Sequence, residues 1–305
     1  MTTPILHAYD ASPFTQRALR MLGIKNLDWR WVETPMMPPK DELLALTGGY
    51  RGTPVLQFGS DIYIDSQLIA LELEKRFPQP SLFADAGSGL PLALFQWSDA
   101  FFRQGLKIVL ALQADSWPAP FRADREQLFP DIDFAAAKCE LAHSKAQYRA
   151  HASLLDRQLA DGRRFLAGTQ AGVVDAQVHP FIWLLRTAAP EVADPLLGGF
   201  AHLITWEARV AALGEGRRNR IDAAVAILEA KDSLPDEELQ IDLGDAQALR
   251  AGMRVRVIAD DTRRGEVEGE VTIALPDRVS IRRVDRRVGE VVVHFPRRGY
   301  RIVPS

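Results

Sequence analysis

The apolar residues of this chain change their period twice, and those changes dictate the order of layers it can build. Over the first 80 residues, strand and helix patterns alternate. Ile5-Leu6-His7-Ala8-Tyr9 reads as a buried strand, 13–23 has helical spacing, and 27–32 reads as a second strand. The stretch 33–39 carries too many prolines for regular structure, and a short helix is expected over 41–46. The apolar runs 55–58 and 61–64 flank Gly59-Ser60, a two-residue turn suited to a hairpin. A helix over 67–77 follows, capped by Ser66. The order β-α-β-α-β-β-α predicts a parallel pair, an antiparallel hairpin and helices covering the sheet.

Residues 78–89 read as a linker. Helical patterns then cover 91–113, 135–160, 175–188, 200–213 and 217–231, with Pro180 inside the third and a long loop at 115–134. After Leu234-Pro235-Asp236 the period returns to two, at 253–257, 267–275, 279–284 and 290–295. Three domains are therefore expected: an α/β unit over 1–80, an all-α unit over 90–232, and a small all-β, barrel-like module over 240–305. A net charge of −3 supplies no global field for nucleic acid or an anionic membrane. Arginine pairs such as Arg282-Arg283 and Arg297-Arg298 read as a solvated or packing face, because arginine is favoured throughout the chain. No run is long enough to span a membrane and no secretory pattern opens the chain, so a cytoplasmic location is expected. The lone Cys139 excludes an intramolecular disulfide and is expected to be packed, and no histidine spacing suits a metal.

Three element boundaries carry the chemistry. Ser12-Pro13-Phe14 places a hydroxyl at a helix N-terminus, where unpaired N–H groups and the dipole favour an anion. Thr53-Pro54-Val55 enters a strand, and Asp65-Ser66 starts another helix. Taken one at a time, each has an ordinary explanation as a cap or a bend.

In that order and context, the first 80 residues resemble the thioredoxin-like N-terminal domain of glutathione transferases. Ser12-Pro13-Phe14 with Arg17 is similar to the motif of serine-type members, of the tau class and bacterial relatives of the tau/omega kind. Thr53-Pro54-Val55-Leu56 is similar to the family's segment with a cis proline. The helical region fits the family's second domain, so the resemblance covers roughly 1–230.

The resemblance implies that Ser12 activates the thiol of glutathione, with Phe14 in the same motif. Thr53, Pro54 and Val55 would meet the cysteinyl part, and Asp65 and Ser66 the γ-glutamyl group. The family often has a basic residue two positions before the cis proline for the glycine carboxylate. Here that position is Gly52, with Lys40 or Arg51 as substitutes. Phe101, Phe102 and Trp117 are expected to wall the second substrate. The implied activity is conjugation of glutathione, as co-substrate and without a metal, to a small hydrophobic electrophile, a detoxification chemistry, in a homodimer. The alternative is a catalytically weak binding or scaffold protein acting through its β module. Gly172-Val173-Val174-Asp175 reads as a structural helix cap.

Overall fold

The computed structural model describes residues 3–236 and 239–305, which form two compact units. The first contains the residues up to Thr15, Asp28–Leu73 and Arg217–Ser305; the second contains Gln16–Leu27 and Glu74–Gly216.

The N-terminal elements follow the expected order. They are β1 (Ile5–Ala8), α1 (Pro13–Ile24), β2 (Asp28–Glu33), α2 (Asp41–Thr47), β3 (Val55–Phe58), β4 (Asp61–Ile64) and α3 (Ser66–Arg76). β1 pairs in parallel with β2 (Ile5↔Arg30) and antiparallel with β3, and β3 and β4 form the hairpin. Every residue of β1, β3 and β4 is buried, which explains runs that are apolar without alternation. The Thr53–Pro54 peptide bond is cis. The first turn of α1 belongs to the sheet unit and its body to the helical unit.

The helical unit contains α4 (Gly89–Gln113), α5 (Ala119–Leu128), α6 (Leu141–Leu159), α7 (Val173–Ala188), α8 (Pro190–Leu197) and α9 (Ala201–Ala211). α4 packs on α6 and α7. Arg17 is clamped inside this unit: its guanidinium donates to Ser98 Oγ (2.8 Å), Asp99 Oδ1 (2.7 Å) and the Gln177 carbonyl (3.1 Å). Asp175 caps α7 by accepting the Gly172 N–H at 2.9 Å, and also accepts from Trp206 Nε1 at 2.7 Å. Part of the expected loop 115–134 is helical instead, as α5, because Pro118 and Pro120 sit at its start, where proline is tolerated. Cys139 is exposed, in the turn before α6, and not packed as expected.

The remaining elements return to the sheet: β5 (Arg217–Arg220), α10 (Ala223–Asp232), β6 (Gln240–Ile241), β7 (Arg254–Ala259), β8 (Glu266–Ala274), β9 (Arg278–Asp285), β10 (Gly289–Pro296) and β11 (Tyr300–Pro304). The expected helix over 217–231 therefore begins with a strand. β5 lies parallel to β2, its arginines paired with Asp28, Asp10 and Glu33.

The C-terminal strands do not stand apart as a barrel-like module. β10 pairs in parallel with β4 (Val293↔Ile62), giving one sheet in the order β11-β7-β8-β9-β10-β4-β3-β1-β2-β5, with β6 beside β8. The physical reason is the open edge that β4 would otherwise present. One apolar core joins both parts, with Leu46, Val55 and Ile62 beside Val257, Val271, Val293 and Phe295. At the seam, His294 Nε2 meets Asp61 Oδ1 at 2.9 Å, Ser280 Oγ meets His294 Nδ1 at 2.8 Å, and Tyr63 stacks on the imidazole at 4.3 Å.

Candidate functional site

The sheet unit brings two helix N-termini and the start of β3 to the positions the sequence singles out. Ser12 precedes α1, and its Oγ accepts the Thr15 N–H at 3.2 Å, a cap bond to the third helical residue. Because that oxygen accepts, its own O–H is the group left to donate. The side chain is nearly covered, at 3 % exposure.

Ser66, also buried, opens α3. Asp65 sits at φ +76°, a left-handed conformation that a non-glycine residue adopts at a cost of about 1–3 kcal/mol. Two contacts hold it there: Oδ1 accepts the Gln67 N–H at 2.9 Å, and Oδ2 accepts from Tyr300 Oη at 3.3 Å.

The basic candidates are engaged within the fold. Lys40, almost fully buried, donates to the Arg51 carbonyl at 3.1 Å, with its ammonium 5.5 Å from the Tyr9 ring. Arg51 Nε donates to the Arg263 carbonyl at 3.3 Å, and its backbone N–H to the Arg264 carbonyl at 2.8 Å. Thr53 is half-buried, while Pro54 and Val55 are buried at the entry to β3.

Three residues that the sequence reading missed complete the cluster. Arg264 Nη1 donates to Tyr50 Oη at 3.2 Å, and its guanidinium carbon lies 5.8 Å from the Phe14 ring centre. Tyr300 Oη lies 3.5 Å from Tyr50 Oη. Burial pushes both phenols up, Tyr300 well above the ordinary tyrosine range, so both are neutral at pH 7. Burial also works against the Arg264 charge, but the oxygens of Tyr50, Asp261, Tyr300 and Asp65 outweigh it and hold the guanidinium firmly protonated. Tyr50 carried a local signal, being two residues before Gly52. Arg264, in the loop between β7 and β8, and Tyr300, at the start of β11, carried none, since neither a loop nor a strand pattern names its spatial neighbours.

In the helical unit, Phe101 and Phe102 are core residues. Phe101 is fully buried among Tyr148, His151 and Phe181, and Phe102 packs on Phe129 and Phe181. Both side chains therefore pack within the helical unit's core. Trp117 is half-buried, 5.1 Å from Phe121.

Residues 6–81 match the glutathione S-transferase N-terminal domain family. A GST-like protein from Pseudomonas syringae is 32 % identical and superposes with a TM-score of 0.83, covering 100 % of both chains. The chain belongs to the glutathione S-transferase family. A probable glutathione S-transferase of Zea mays is 28 % identical over 255 residues, 81 % of this chain and 97 % of that one. A tau class glutathione S-transferase from mango shares the fold at 18 % identity, with a TM-score of 0.53 over 69 % of this chain and 89 % of its own. The coverage of the Pseudomonas protein takes in the C-terminal strands, so this glutathione S-transferase fold carries them as a shared feature. The family binds glutathione and uses no metal cofactor. Among the described residues, no group of three or more His, Cys, Asp or Glu could hold a metal ion, and no helix is long and apolar enough to cross a membrane.

Proposed function

We propose that this chain is a glutathione transferase in which Ser12 activates the thiol for attack on a small hydrophobic electrophile. The observation that carries the reading is the Ser12 hydroxyl, which accepts the Thr15 N–H and has its proton left to donate at the start of α1. A thiolate there gains one hydrogen bond and the favourable end of the helix dipole, both of which lower its pKa. The thiol proton leaves to water, the sulfur lone pair forms a bond to the electrophilic carbon, and a leaving group such as halide departs with its electron pair. Val55 would exchange backbone hydrogen bonds with the cysteinyl residue, and Ser66 with the N-terminus of α3 would hold the γ-glutamyl carboxylate. Trp117 remains the aromatic side chain proposed to meet the electrophile, and a homodimer is the proposed assembly.

The test is the thiolate absorbance of bound glutathione across pH, together with turnover of an aromatic halide. Ser12→Ala should raise the bound thiol pKa by about 1–2 units, the worth of one hydrogen bond to a charged group, and reduce turnover accordingly. A folded protein that takes up no glutathione at millimolar concentration sinks the reading. The 3 % exposure of Ser12 favours a second one, a glutathione-fold binding protein without efficient catalysis. That reading predicts binding with no turnover and no effect of Ser12→Ala on the thiol.

A further inference from the structure

Within the glutathione reading just given, on which this inference rests, the glycine carboxylate needs a cation that position 52 cannot supply. A Cβ at Gly52 would lie 2.5 Å from Tyr50 Oη and 2.6 Å from its ring carbon Cζ. Tyr50 is 3 % exposed, and its hydroxyl is held by Arg264 and Tyr300, so it has little room to yield. Of the nearby cations, Lys40 and Arg51 donate to backbone carbonyls that fix the segment before Pro54. Arg264 is placed differently. It lies against Phe14, two residues after Ser12, and pairs with Asp261 at a loose 3.6 Å. The Asp261 side chain is 50 % exposed and therefore well solvated, so a ligand carboxylate can replace it on a planar guanidinium suited to two parallel hydrogen bonds.

We propose that Arg264, delivered by the C-terminal strands, is the carboxylate anchor of the thiol-peptide site, oriented by Tyr50, and that Tyr300 sets the Asp65 carboxylate to receive the ligand's ammonium. The extra strands are then part of the binding site. Tyr50 links the two functions: it excludes a base from position 52 and holds its replacement.

Calorimetric titration of the full chain with glutathione, and with glutathione esterified at its glycine carboxylate, tests this. The wild type should prefer the free acid by about tenfold or more, the worth of a charge-assisted pair. Arg264→Gln should remove that preference, weakening glutathione by about ten- to a hundredfold while leaving the ester within about twofold. Arg264→Lys should restore part of it. An Arg264→Gln protein that keeps the wild-type preference, or that loses acid and ester equally, overturns the proposal. So does loss of the preference in Lys40→Met or Arg51→Gln while Arg264→Gln keeps it. Should Arg264→Gln fail to fold, the wild type still decides, since equal affinity for acid and ester leaves no carboxylate anchor. Failure of the folded wild type to bind either ligand refutes the glutathione reading itself, whereas binding that is indifferent to Arg264 refutes only this assignment.

Discussion

His7 is buried within β1, and its Nε2 meets Gln57 Oε1 at 2.7 Å. Burial lowers its pKa to about 4 against a partial opposing effect of Gln57, and burial likewise lowers His179 in the helical unit to about 4. The unfolded chain takes up these protons near pH 6.5 and the folded one near 4. Stability is thus intact above 6.5 and falls as the pH drops through this window, by on the order of 3 kcal/mol per histidine. The His7 ring resonances should show no titration between pH 7.5 and about 5.5; a midpoint near the free-histidine value contradicts the burial. Gly52 gives a second prediction at this scale. Gly52→Ala should cost about 1–3 kcal/mol by denaturant midpoint, because its methyl meets the Tyr50 phenol, and a smaller residue at 50 should reduce that cost. Ser12, Pro54 and Ser66 were legible because each sits at a boundary where residue type and backbone requirement coincide. Phe101 was not: an aromatic at helical spacing looks the same whether it walls a cavity or fills a core, and only packing separates the two.

The decisive element is β10, whose hydrogen bonds to β4 turn two stretches of chain into one sheet. At that seam His294 and Asp61 are each about 2 % exposed, and Asp61 Oδ2 also accepts the Asp236 N–H at 2.8 Å. His294→Leu should destabilise by roughly 3 kcal/mol, because it leaves a buried carboxylate short of a donor. Asp61→Asn keeps an oxygen for the ring but turns its NH2 toward the Asp236 N–H, so it should also destabilise, by about 1–2 kcal/mol. Equal losses in a thermal or denaturant melt would argue against the polar seam as their cause. The first four strands and the long helices could be read from apolar period alone. The helix at Ala119–Leu128 was hidden by prolines that start it, and β5 by arginines that find carboxylates on β2 and the loop after β1. The period-two tail was recognisable as strands, but alternation names neither the neighbouring strand nor the edge it will cover.

At the scale of the molecule, the sheet unit is assembled from three separated stretches of chain, with the helical unit's main segment inserted between the second and third. Ending the chain after Asp232 should therefore do more than remove an appendage. It would expose the edge of β4 and half of a shared apolar core, and the shortened protein should be insoluble or lose cooperative unfolding. A soluble, two-state fragment that still binds glutathione would show that the first strands are self-sufficient. The seam pair Asp61 and His294 also lies 233 residues apart in sequence. During synthesis the β1–β4 segment must wait, one edge unpaired, until β10 has left the ribosome. Closure over so long a separation makes late, slow completion of this unit the expected folding order. A chain cut short before β10 would then keep the β4 edge unpaired and prone to associate with other chains.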